Sequence, residues 1–433
     1  MNALEQVYKQ FLTNPSVTTD TRKIEKGDIF FALKGASFDG NAFALKALEM
    51  GAALAVVDDK SVAGKGVVYV DDALKALQEL ARMYRRDLQI PVVGLTGTNG
   101  KTTSKELIVS VLAQKYRVAF TKGNLNNHIG VPLTVLSIPN DAEIAVIEMG
   151  ANHPLDIDEL TSIAMPNFGL ITNVGKAHLE GFGSFEGVKK TKGEMYDYIK
   201  AHGGKVFLNL DNQHLVEMAN DRMVNDIVPY GVSVMKTAIL EKDLEHPFLR
   251  LSFDAGLLEG CIAETNLVGD YNADNVMLAV AIGAYFEVPK DKILHALHTY
   301  TPDNNRSQLM RTASNLVIVD CYNANPTSME AALANFTKFN VESKVAILGD
   351  MLELGKVSLD EHTKVIEVAG QVGINRLILV GAEFMHVATD LDAEVFESVD
   401  KLILHLEMNP IVRSLVLVKG SRGIKLEKTL PLL

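Results

Sequence analysis

The segment with the clearest chemistry is a glycine-rich loop of the kind that binds phosphate. Residues 94–103 read Gly-Leu-Thr-Gly-Thr-Asn-Gly-Lys-Thr-Thr and follow an apolar run at residues 90–93. Backbone N–H groups of such a turn converge on phosphate oxygens, while Lys101 can reach the β- and γ-phosphates and the Thr102 hydroxyl can hold Mg2+. Leu95 stands where the usual spacing has its first glycine, so a structural turn is the alternative. The loop predicts a nucleotide-using enzyme whose phosphate contacts are Gly97, Thr98, Asn99, Gly100, Lys101, Thr102 and Thr103.

Two further polar residues follow predicted parallel strands, at the edge where α/β sheets bind ligands. Glu148 ends an apolar run at residues 144–147, where a carboxylate is well placed to bind Mg2+. His178 follows the strand predicted at residues 169–172. The alternatives are a solvated strand end for Glu148 and a structural role for His178.

Lysines and amides form two weaker signals. Lys192 lies with Lys189 and Lys190 on a predicted helix, and such a charge run is usually a solvated face. Residues 122–128 follow a strand and are rich in amides that can bind a sugar or diphosphate, although a capped turn explains them equally well. The amides concerned are Asn124, Asn126 and Asn127.

The C-terminal part of the chain has three polar loops after predicted strands, at residues 320–326, 349–355 and 419–423. Because the carboxyl ends of parallel strands share one edge of a sheet, the three loops predict one shared site. We find no cysteine cluster for a metal, no Gly-x-Ser-x-Gly elbow and no dinucleotide fingerprint in the sequence.

The bulk properties limit the classes of protein. The 433 residues predict two or three domains, and 47% hydrophobic with 22% charged residues is a globular composition. A net charge of -12 argues against nucleic-acid binding. No apolar run is long enough to span a bilayer, and no signal peptide is evident. Two cysteines, Cys261 and Cys321, predict reduced thiols in a cytoplasmic protein.

Alternating apolar runs and helices predict an α/β protein of three domains, at residues 1–88, 89–302 and 303–433. The central domain is predicted to have a parallel sheet carrying the phosphate loop, followed by an antiparallel addition at residues 238–268. The last is predicted to be a doubly wound, Rossmann-like domain without its own phosphate loop. Its first helix, after Pro326, shows a capping-box pattern in Thr327-Ser328-Met329-Glu330.

Taken together, these segments resemble the Mur ligases of peptidoglycan synthesis over essentially the whole chain. The shared features are residues 96–103, Glu148 and residues 173–178. Residues 124–133, 320–326, 349–355 and 419–423 are similar to the branch that adds D-alanyl-D-alanine to a UDP-N-acetylmuramoyl-tripeptide. Residues 20–22 and 27–35 resemble its uridine-binding segment. Tyr271 and Asn41 stand where the family often has histidine.

The resemblance implies a reaction and roles for particular residues. The peptide carboxylate attacks the γ-phosphate of ATP, and the dipeptide amine then displaces phosphate from the acyl phosphate. It implies that Lys192 is carbamylated and binds a second Mg2+ with His178. Its implied nucleotide contacts are Asn272, Asn275, Arg306, Asp320 and Asn323, and its implied substrate contacts are Thr21, Arg22, Lys34, Gly35, Asn124, Asn126, Asn127, Asn325, Lys419 and Arg422.

Two other readings remain open at this stage. A folylpolyglutamate synthase-like ligase shares the central domain, although residues 20–35 and 320–326 weigh against it. A nucleotide-dependent switch protein would hydrolyse ATP without needing an amine or a carboxylate substrate. A monomer is expected, and the sequence does not decide whether the third peptide residue is lysine or diaminopimelate.

Overall fold

A computed structural model describes residues 2–35, 38–241, 246–388 and 393–433. The first segment builds a four-stranded parallel sheet in the order β1-β2-β5-β6, with β3 and β4 as a separate antiparallel pair. Its elements are α1 (Ala3–Thr13), β1 (Val17–Thr18), β2 (Ile29–Phe31), β3 (Lys34–Gly35), β4 (Phe38–Asp39), α2 (Ala44–Glu49), β5 (Leu54–Val57), β6 (Val67–Tyr69) and α3 (Ala73–Asp87).

The central segment has a six-stranded, fully parallel sheet in the order β12-β11-β10-β7-β9-β8. Its elements up to the last parallel strand are β7 (Val92–Thr96), α4 (Lys101–Leu112), β8 (Val118–Phe120), α5 (Gly130–Leu136), β9 (Ile144–Glu148), α6 (Asp156–Ala164), β10 (Phe168–Ile171), α7 (Leu179–Phe182), α8 (Phe185–Ala201), β11 (Lys205–Asn209), α9 (Gln213–Asp221) and β12 (Ile227–Tyr230).

An antiparallel sheet and three helices complete this segment, and the sequence predicted the sheet and the two longer helices. They are α10 (Val232–Met235), β13 (Thr237–Ile239), β14 (Arg250–Phe253), β15 (Cys261–Glu264), α11 (Ala273–Tyr285) and α12 (Lys290–Thr299).

The C-terminal segment has six strands in the order β16-β17-β21-β18-β19-β20, parallel except for the edge strand β16. Its elements are β16 (Gln308–Arg311), β17 (Leu316–Asp320), α13 (Pro326–Thr337), β18 (Lys344–Gly349), α14 (Ser358–Gln371), β19 (Arg376–Val380), α15 (Ala382–Val387), β20 (Glu394–Phe396), α16 (Val399–Met408) and β21 (Leu415–Lys419). The predicted α/β class is therefore confirmed, whereas the predicted domain boundaries remain predictions.

Strand β7 shows how the core positions the phosphate loop. Both faces of the strand are covered by other elements, and all five of its residues are buried. Val92 packs in the cluster that contains residues of α3, α6 and α8, while Val93 and Leu95 pack in the cluster built from α4 and α11. Alternate side chains thus anchor β7 on two layers, and the loop that follows starts from a fixed strand end.

The predicted start of α13 was wrong in detail. Asn325, not Thr327, caps the helix: its side chain accepts from the Ser328 N–H, and the Ser328 side chain returns a bond to the cap backbone N–H. Pro326 explains the shift, because its fixed φ and missing N–H suit the first helical position and make the preceding residue the cap. Among the described residues, no helix combines the length and apolarity needed to cross a membrane.

Candidate functional site

The phosphate loop has the backbone that its glycines predict. Gly97 has φ 149° and Gly100 has φ 76°, values that side chains rarely allow. A Cβ on Gly97 would lie 2.0 Å from Thr172 Oγ1, and one on Gly100 would lie 2.7 Å from Asn275 Oδ1. Both positions therefore require glycine for backbone and packing reasons together. The loop turns directly into α4, whose first residue is Lys101.

Lys101 lies over its own loop. Its ammonium donates to the carbonyls of Gly97, at 2.8 Å, and Thr98, at 3.0 Å. Burial lowers the pKa of Lys101 to about 8, against the opposing effect of Glu148, and Arg306 adds to the lowering. A half-buried cation with other positive charges nearby is stabilised by an anionic ligand such as a phosphate.

Glu148 and Thr102 form an oxygen-rich corner at the ends of β9 and α4. Thr102 Oγ1 donates to Glu148 Oε1 at 3.3 Å, and Asn126 Nδ2 donates to the same oxygen at 2.8 Å. Glu148 is 2% exposed, and among the described residues no donor bonds its buried Oε2, although Lys105 Nζ lies 4.0 Å away. A buried carboxylate oxygen without a donor suits a hard cation. This finding contradicts the solvated-strand-end reading of Glu148.

The amides after β8 have different structural roles. Asn127 Oδ1 accepts from the N–H groups of Ile129 and Gly130, at the start of α5, so this side chain stabilises a turn. Asn126 instead reaches Glu148, and Asn124 lies on the cavity wall. The capped-turn reading is confirmed for Asn127, whereas ligand binding by Asn124 and Asn126 stays a prediction.

The start of α11 lies beside the loop. Asn275 Oδ1 accepts from Ser104 Oγ at 2.9 Å, and Asn275 Nδ2 donates to Asn272 Oδ1 at 3.0 Å. The Tyr271 hydroxyl forms a hydrogen bond with Ser307 Oγ at 3.1 Å. Burial, and to a smaller extent the negative charge of Asp320, raises the pKa of the Tyr271 phenol. The chain around Tyr271 therefore connects the central segment to the C-terminal one.

The C-terminal loops approach the same place. Lys419 Nζ donates to Asp320 Oδ2 at 2.6 Å, and the Ser307 N–H donates to Oδ1 at 3.2 Å. The Arg306 guanidinium lies 3.9 Å from the ring centre of Tyr322, and among the described residues its buried Nε has no hydrogen-bond partner. The Asp320 carboxylate therefore holds both Lys419 and Ser307, while the Arg306 Nε–H is left available to a ligand.

A direct hydrogen-bonded contact joins the phosphate loop to the C-terminal segment. Asn325 Nδ2 donates to Asn99 Oδ1 at 2.7 Å, and Asn99 Nδ2 donates to Asn325 Oδ1 at 3.4 Å. The Asn99 N–H is bonded to Asn173 Oδ1 at 2.9 Å. The loop is thus held from both the central sheet and the start of α13.

A cavity of about 740 Å³ lies between the central and C-terminal segments. Most of the predicted site residues line it: Thr98, Asn99, Gly100, Lys101, Thr102, Thr103, Asn124, Asn126, Asn127, Glu148, His178, Asn272, Asn275, Arg306, Asp320, Asn323, Asn325 and Lys419. The cavity is large enough for a nucleotide and has cations, carboxylates and amides on its walls.

His178 and Lys192 both lie close to the ring of Phe182. His178 lines the cavity in a left-handed conformation, with φ 50°, and its ring packs edge-on against Phe182. Lys192 is 2% exposed, with Nζ 5.5 Å from the Phe182 ring centre. Burial, with help from Lys101, lowers the pKa of Lys192 well below its usual value and favours a neutral amine. The solvated-face reading is therefore wrong for Lys192.

The remaining predicted residues lie outside the cavity wall. Gly97 lies behind the loop against Thr172. In the first segment, Arg22 pairs with Asp20 at 2.8 Å and Lys34 with Asp58 at 2.9 Å, while Thr21 and Gly35 lie beside them in the chain. Arg422 donates to the Tyr322 hydroxyl at 3.3 Å. The structure does not bring these residues or Lys192 into the central cavity, so their roles stay predictions.

Several cavity residues were missed by the sequence reasoning. Asn152, His153 and Asp156 line the wall after β9, and Tyr322 and Thr327 line it in the C-terminal segment. The first three follow a strand whose last residue had already been selected, so the strand-end rule could have been extended past Glu148. Thr327 was predicted only as part of a capping box, and no sequence signal pointed to its place on the cavity wall.

Comparison with known proteins gives three family matches along the chain. The Mur ligase family, catalytic domain, matches residues 15–92. The Mur ligase middle domain matches residues 95–283, and the Mur ligase, glutamate ligase domain, matches residues 305–422.

Individual relatives cover nearly the whole chain. The UDP-N-acetylmuramoyl-tripeptide–D-alanyl-D-alanine ligase of Bacillus subtilis is 35% identical, over 98% of this chain and 96% of its own length. The crystal structure of MurF from Acinetobacter baumannii is 28% identical with a TM-score of 0.86, covering 96% of this chain and 92% of that one. MurF ligase from Thermotoga maritima in complex with ADP is 25% identical with a TM-score of 0.85, covering 96% of each chain.

Proposed function

The chain belongs to the Mur ligase family, and we propose that it is the ATP-dependent ligase that joins D-alanyl-D-alanine to UDP-N-acetylmuramoyl-tripeptide. The single observation that carries this proposal is the cavity of about 740 Å³, where the phosphate loop faces C-terminal residues such as Asp320, Asn325 and Lys419. A ligase must bring an activated carboxyl and an amine together, and a cavity between two segments suits that task.

In the proposed reaction, the peptide carboxylate attacks the γ-phosphate of ATP, and the leaving group is ADP. Two anions meet in this step, so nearby cations must offset their repulsion. Lys101 and Arg306 both line the cavity and supply that charge. The dipeptide amine then attacks the acyl carbonyl, an amide bond forms and inorganic phosphate leaves. Asn272 and Asn275, beside the loop, are proposed to contact the adenine.

We propose that Thr102 and Glu148 hold Mg2+. The undonated, buried Glu148 Oε2 supports this assignment, as does the oxygen character of both side chains. Among the described residues no group of three or more His, Cys, Asp or Glu side chains is arranged to hold a metal. A site with few protein ligands is typical of Mg2+, which usually binds one or two protein side chains and completes its coordination shell with phosphate oxygens and water. When bound, Mg2+ supplies charge stabilisation at the transferring phosphoryl group.

We further propose that Lys192 is carbamylated. A neutral amine attacks CO2, a nitrogen–carbon bond forms and one proton is lost, which leaves an oxygen ligand with negative charge. The lowered pKa of Lys192 supports the neutral amine that this step needs. His178 and the modified Lys192, which both lie close to the Phe182 ring, would then hold a second Mg2+ for the attacking carboxylate.

The UDP end of the substrate is assigned to the first segment, with Thr21, Arg22, Lys34 and Gly35 as its contacts. The peptide and dipeptide are assigned to residues nearer the cavity, namely Asn124, Asn126, Asn127, Asn325, Lys419 and Arg422, while Asp320 and Asn323 order the nucleotide. We propose a monomer that works in the cytoplasm, where ATP and UDP-linked precursors are available, and that has no nucleic-acid partner.

The relatives favour this reading over the folylpolyglutamate synthase-like alternative. The Bacillus subtilis tripeptide ligase is similar over 98% of this chain, which includes the first segment. A non-ligating nucleotide switch would not need the polar C-terminal loops to face the phosphate loop across one cavity.

The proposal is tested by phosphate release with ATP, Mg2+ and UDP-N-acetylmuramoyl-tripeptide, with and without D-alanyl-D-alanine. We expect rapid release only when both substrates are present, together with a new amide product by mass spectrometry. Lysine- and diaminopimelate-containing tripeptides should be compared side by side. Release that is independent of the dipeptide would favour the switch protein, and activity with a folate and glutamate would favour the other ligase.

A further inference from the structure

A side-chain contact between the central and C-terminal segments involves His178. Its Nδ1 contacts Glu353 Oε2, which lies in the loop after β18. The imidazole is 27% exposed, and the carboxylate is 56% exposed. His178 therefore lines the cavity from the central segment and also contacts a carboxylate of the C-terminal segment.

The loop that carries Glu353 is held firmly. The Met351 N–H donates to His362 Nε2 at 3.0 Å, and the Leu352 N–H donates to Ser421 Oγ at 3.0 Å. Glu353 itself has φ 65°, as unusual for a non-glycine residue as the φ 50° of His178. Two residues in a disfavoured backbone conformation thus meet each other, and the bonds of Met351 and Leu352 fix the loop that carries Glu353.

We propose that Glu353 is a positioning residue: it accepts the Nδ1–H of His178 when the C-terminal segment is docked, and so leaves Nε2 as the atom that can bind Mg2+. This inference rests on the proposed function of His178. A carboxylate that accepts one ring N–H fixes the tautomer and orientation of a metal-binding histidine and raises its basicity. Because the carboxylate comes from another segment, the second metal position is complete only in the closed arrangement.

Neighbouring contacts allow docking and tautomer control to be separated. Lys176 Nζ and Glu361 Oε1 form an ion pair of 3.1 Å across the same interface, two residues from His178 in the chain. Glu361→Gln weakens docking without touching the imidazole. Glu353→Gln keeps an oxygen acceptor of the same shape, whereas Glu353→Ala removes it.

The first experiment observes the ring directly in metal-free, full-length protein labelled with 15N-histidine, with the His178 signals assigned through His178→Gln. We expect wild type, Glu353→Gln and Glu361→Gln to show mainly the Nδ1–H tautomer. Glu353→Ala should shift His178 toward the Nε2–H form that free histidine favours. An unchanged His178 spectrum in Glu353→Ala would overturn the proposal.

The second experiment measures the Mg2+ concentration for half-maximal phosphate release. We expect an increase of about tenfold or more in Glu353→Ala, in the range typical of lost outer-shell partners. The increase should be small in Glu353→Gln and under about twofold in Glu361→Gln. Equal increases in Glu353→Ala and Glu361→Gln would overturn the proposal in favour of docking alone. Wild-type protein that releases phosphate without the dipeptide would instead contradict the proposed function, while the tautomer measurement would still decide the role of Glu353.

Discussion

Gly97→Ala is expected to weaken nucleotide binding about 100-fold while leaving a folded protein. The new methyl would lie 2.0 Å from Thr172 Oγ1, which is far inside van der Waals distance, so one of the two groups must move. Thr172 Oγ1 also donates to the Asn99 carbonyl at 2.6 Å, so moving it disturbs the loop a second time. The φ of 149° adds strain of its own.

The magnitude follows from these three costs. Strain at a φ suited to glycine costs about 1–3 kcal/mol, crowding about 1–3 kcal/mol, and the lost hydrogen bond about 1 kcal/mol. In the free variant the loop can relax away from the conformation that binds phosphate. Nucleotide binding must then restore that conformation, so most of this free energy is lost from the affinity. About 3 kcal/mol corresponds to roughly a 100-fold rise in Kd.

Calorimetric titration with ADP and Mg2+ measures this change, and circular dichroism checks the fold. Gly203→Ala is the matched control, because Gly203 has φ 66° but its Cβ would meet no atom within 4 Å. It should cost about 1 kcal/mol of stability and leave ADP binding unchanged. Combining Gly97→Ala with Thr172→Ala should recover part of the affinity. Wild-type ADP affinity in Gly97→Ala would refute the reasoning.

Three shorter predictions concern single charged groups. The pKa of Lys101 is lowered to about 8 from 10.5, so the unfolded state binds more protons between these values. Lys101 should therefore make the stability of the nucleotide-free protein rise with pH across that window by about 3 kcal/mol, and Lys101→Met should reduce the rise by that amount in pH-dependent denaturation while the contribution of Lys192 remains. Glu148→Gln should raise the Mg2+ concentration needed for turnover by at least about tenfold and leave UDP-substrate affinity within about twofold. Lys192→Ala should be nearly inactive and be partly rescued by a short carboxylate, and wild-type activity should fall in CO2-depleted buffer and return with bicarbonate.

Each of these has an outcome that contradicts it. An equal rise in wild-type protein and Lys101→Met between pH 8 and 10.5 would contradict the account of Lys101. Unchanged Mg2+ dependence in Glu148→Gln would make that carboxylate structural. Full activity of Lys192→Arg, which cannot be carbamylated in the same way, would show that only a cation is needed at that position.

The elements near the phosphate loop could be predicted because their signals are local. The apolar runs that became β7 and β9, the glycines at 97 and 100, and the helix after Lys101 all depend on residues that are close in sequence. Strand-end positions also placed Glu148 and Asp320 on the cavity wall.

Other features depended on partners far along the chain. The burial of Lys192 follows from packing near Phe182, and nothing in its lysine-rich surroundings distinguishes it from the exposed Lys190. The contact between His178 and Glu353 joins residues of two segments, which no periodicity can reveal. The cap of α13 was misplaced because a pattern of residue types was given more weight than the fixed φ of Pro326.

The amide of Asn325 limits what it can offer a ligand. An asparagine side chain has two N–H hydrogens and an oxygen with two lone pairs. The oxygen already accepts from the Ser328 N–H and from Asn99 Nδ2, and one hydrogen is donated to Asn99 Oδ1. One hydrogen remains, so while its bonds to Asn99 and to the start of α13 are kept, Asn325 can bind only a hydrogen-bond acceptor. Of the two ends of a dipeptide, the carboxylate can accept a hydrogen bond from this N–H, and the ammonium cannot.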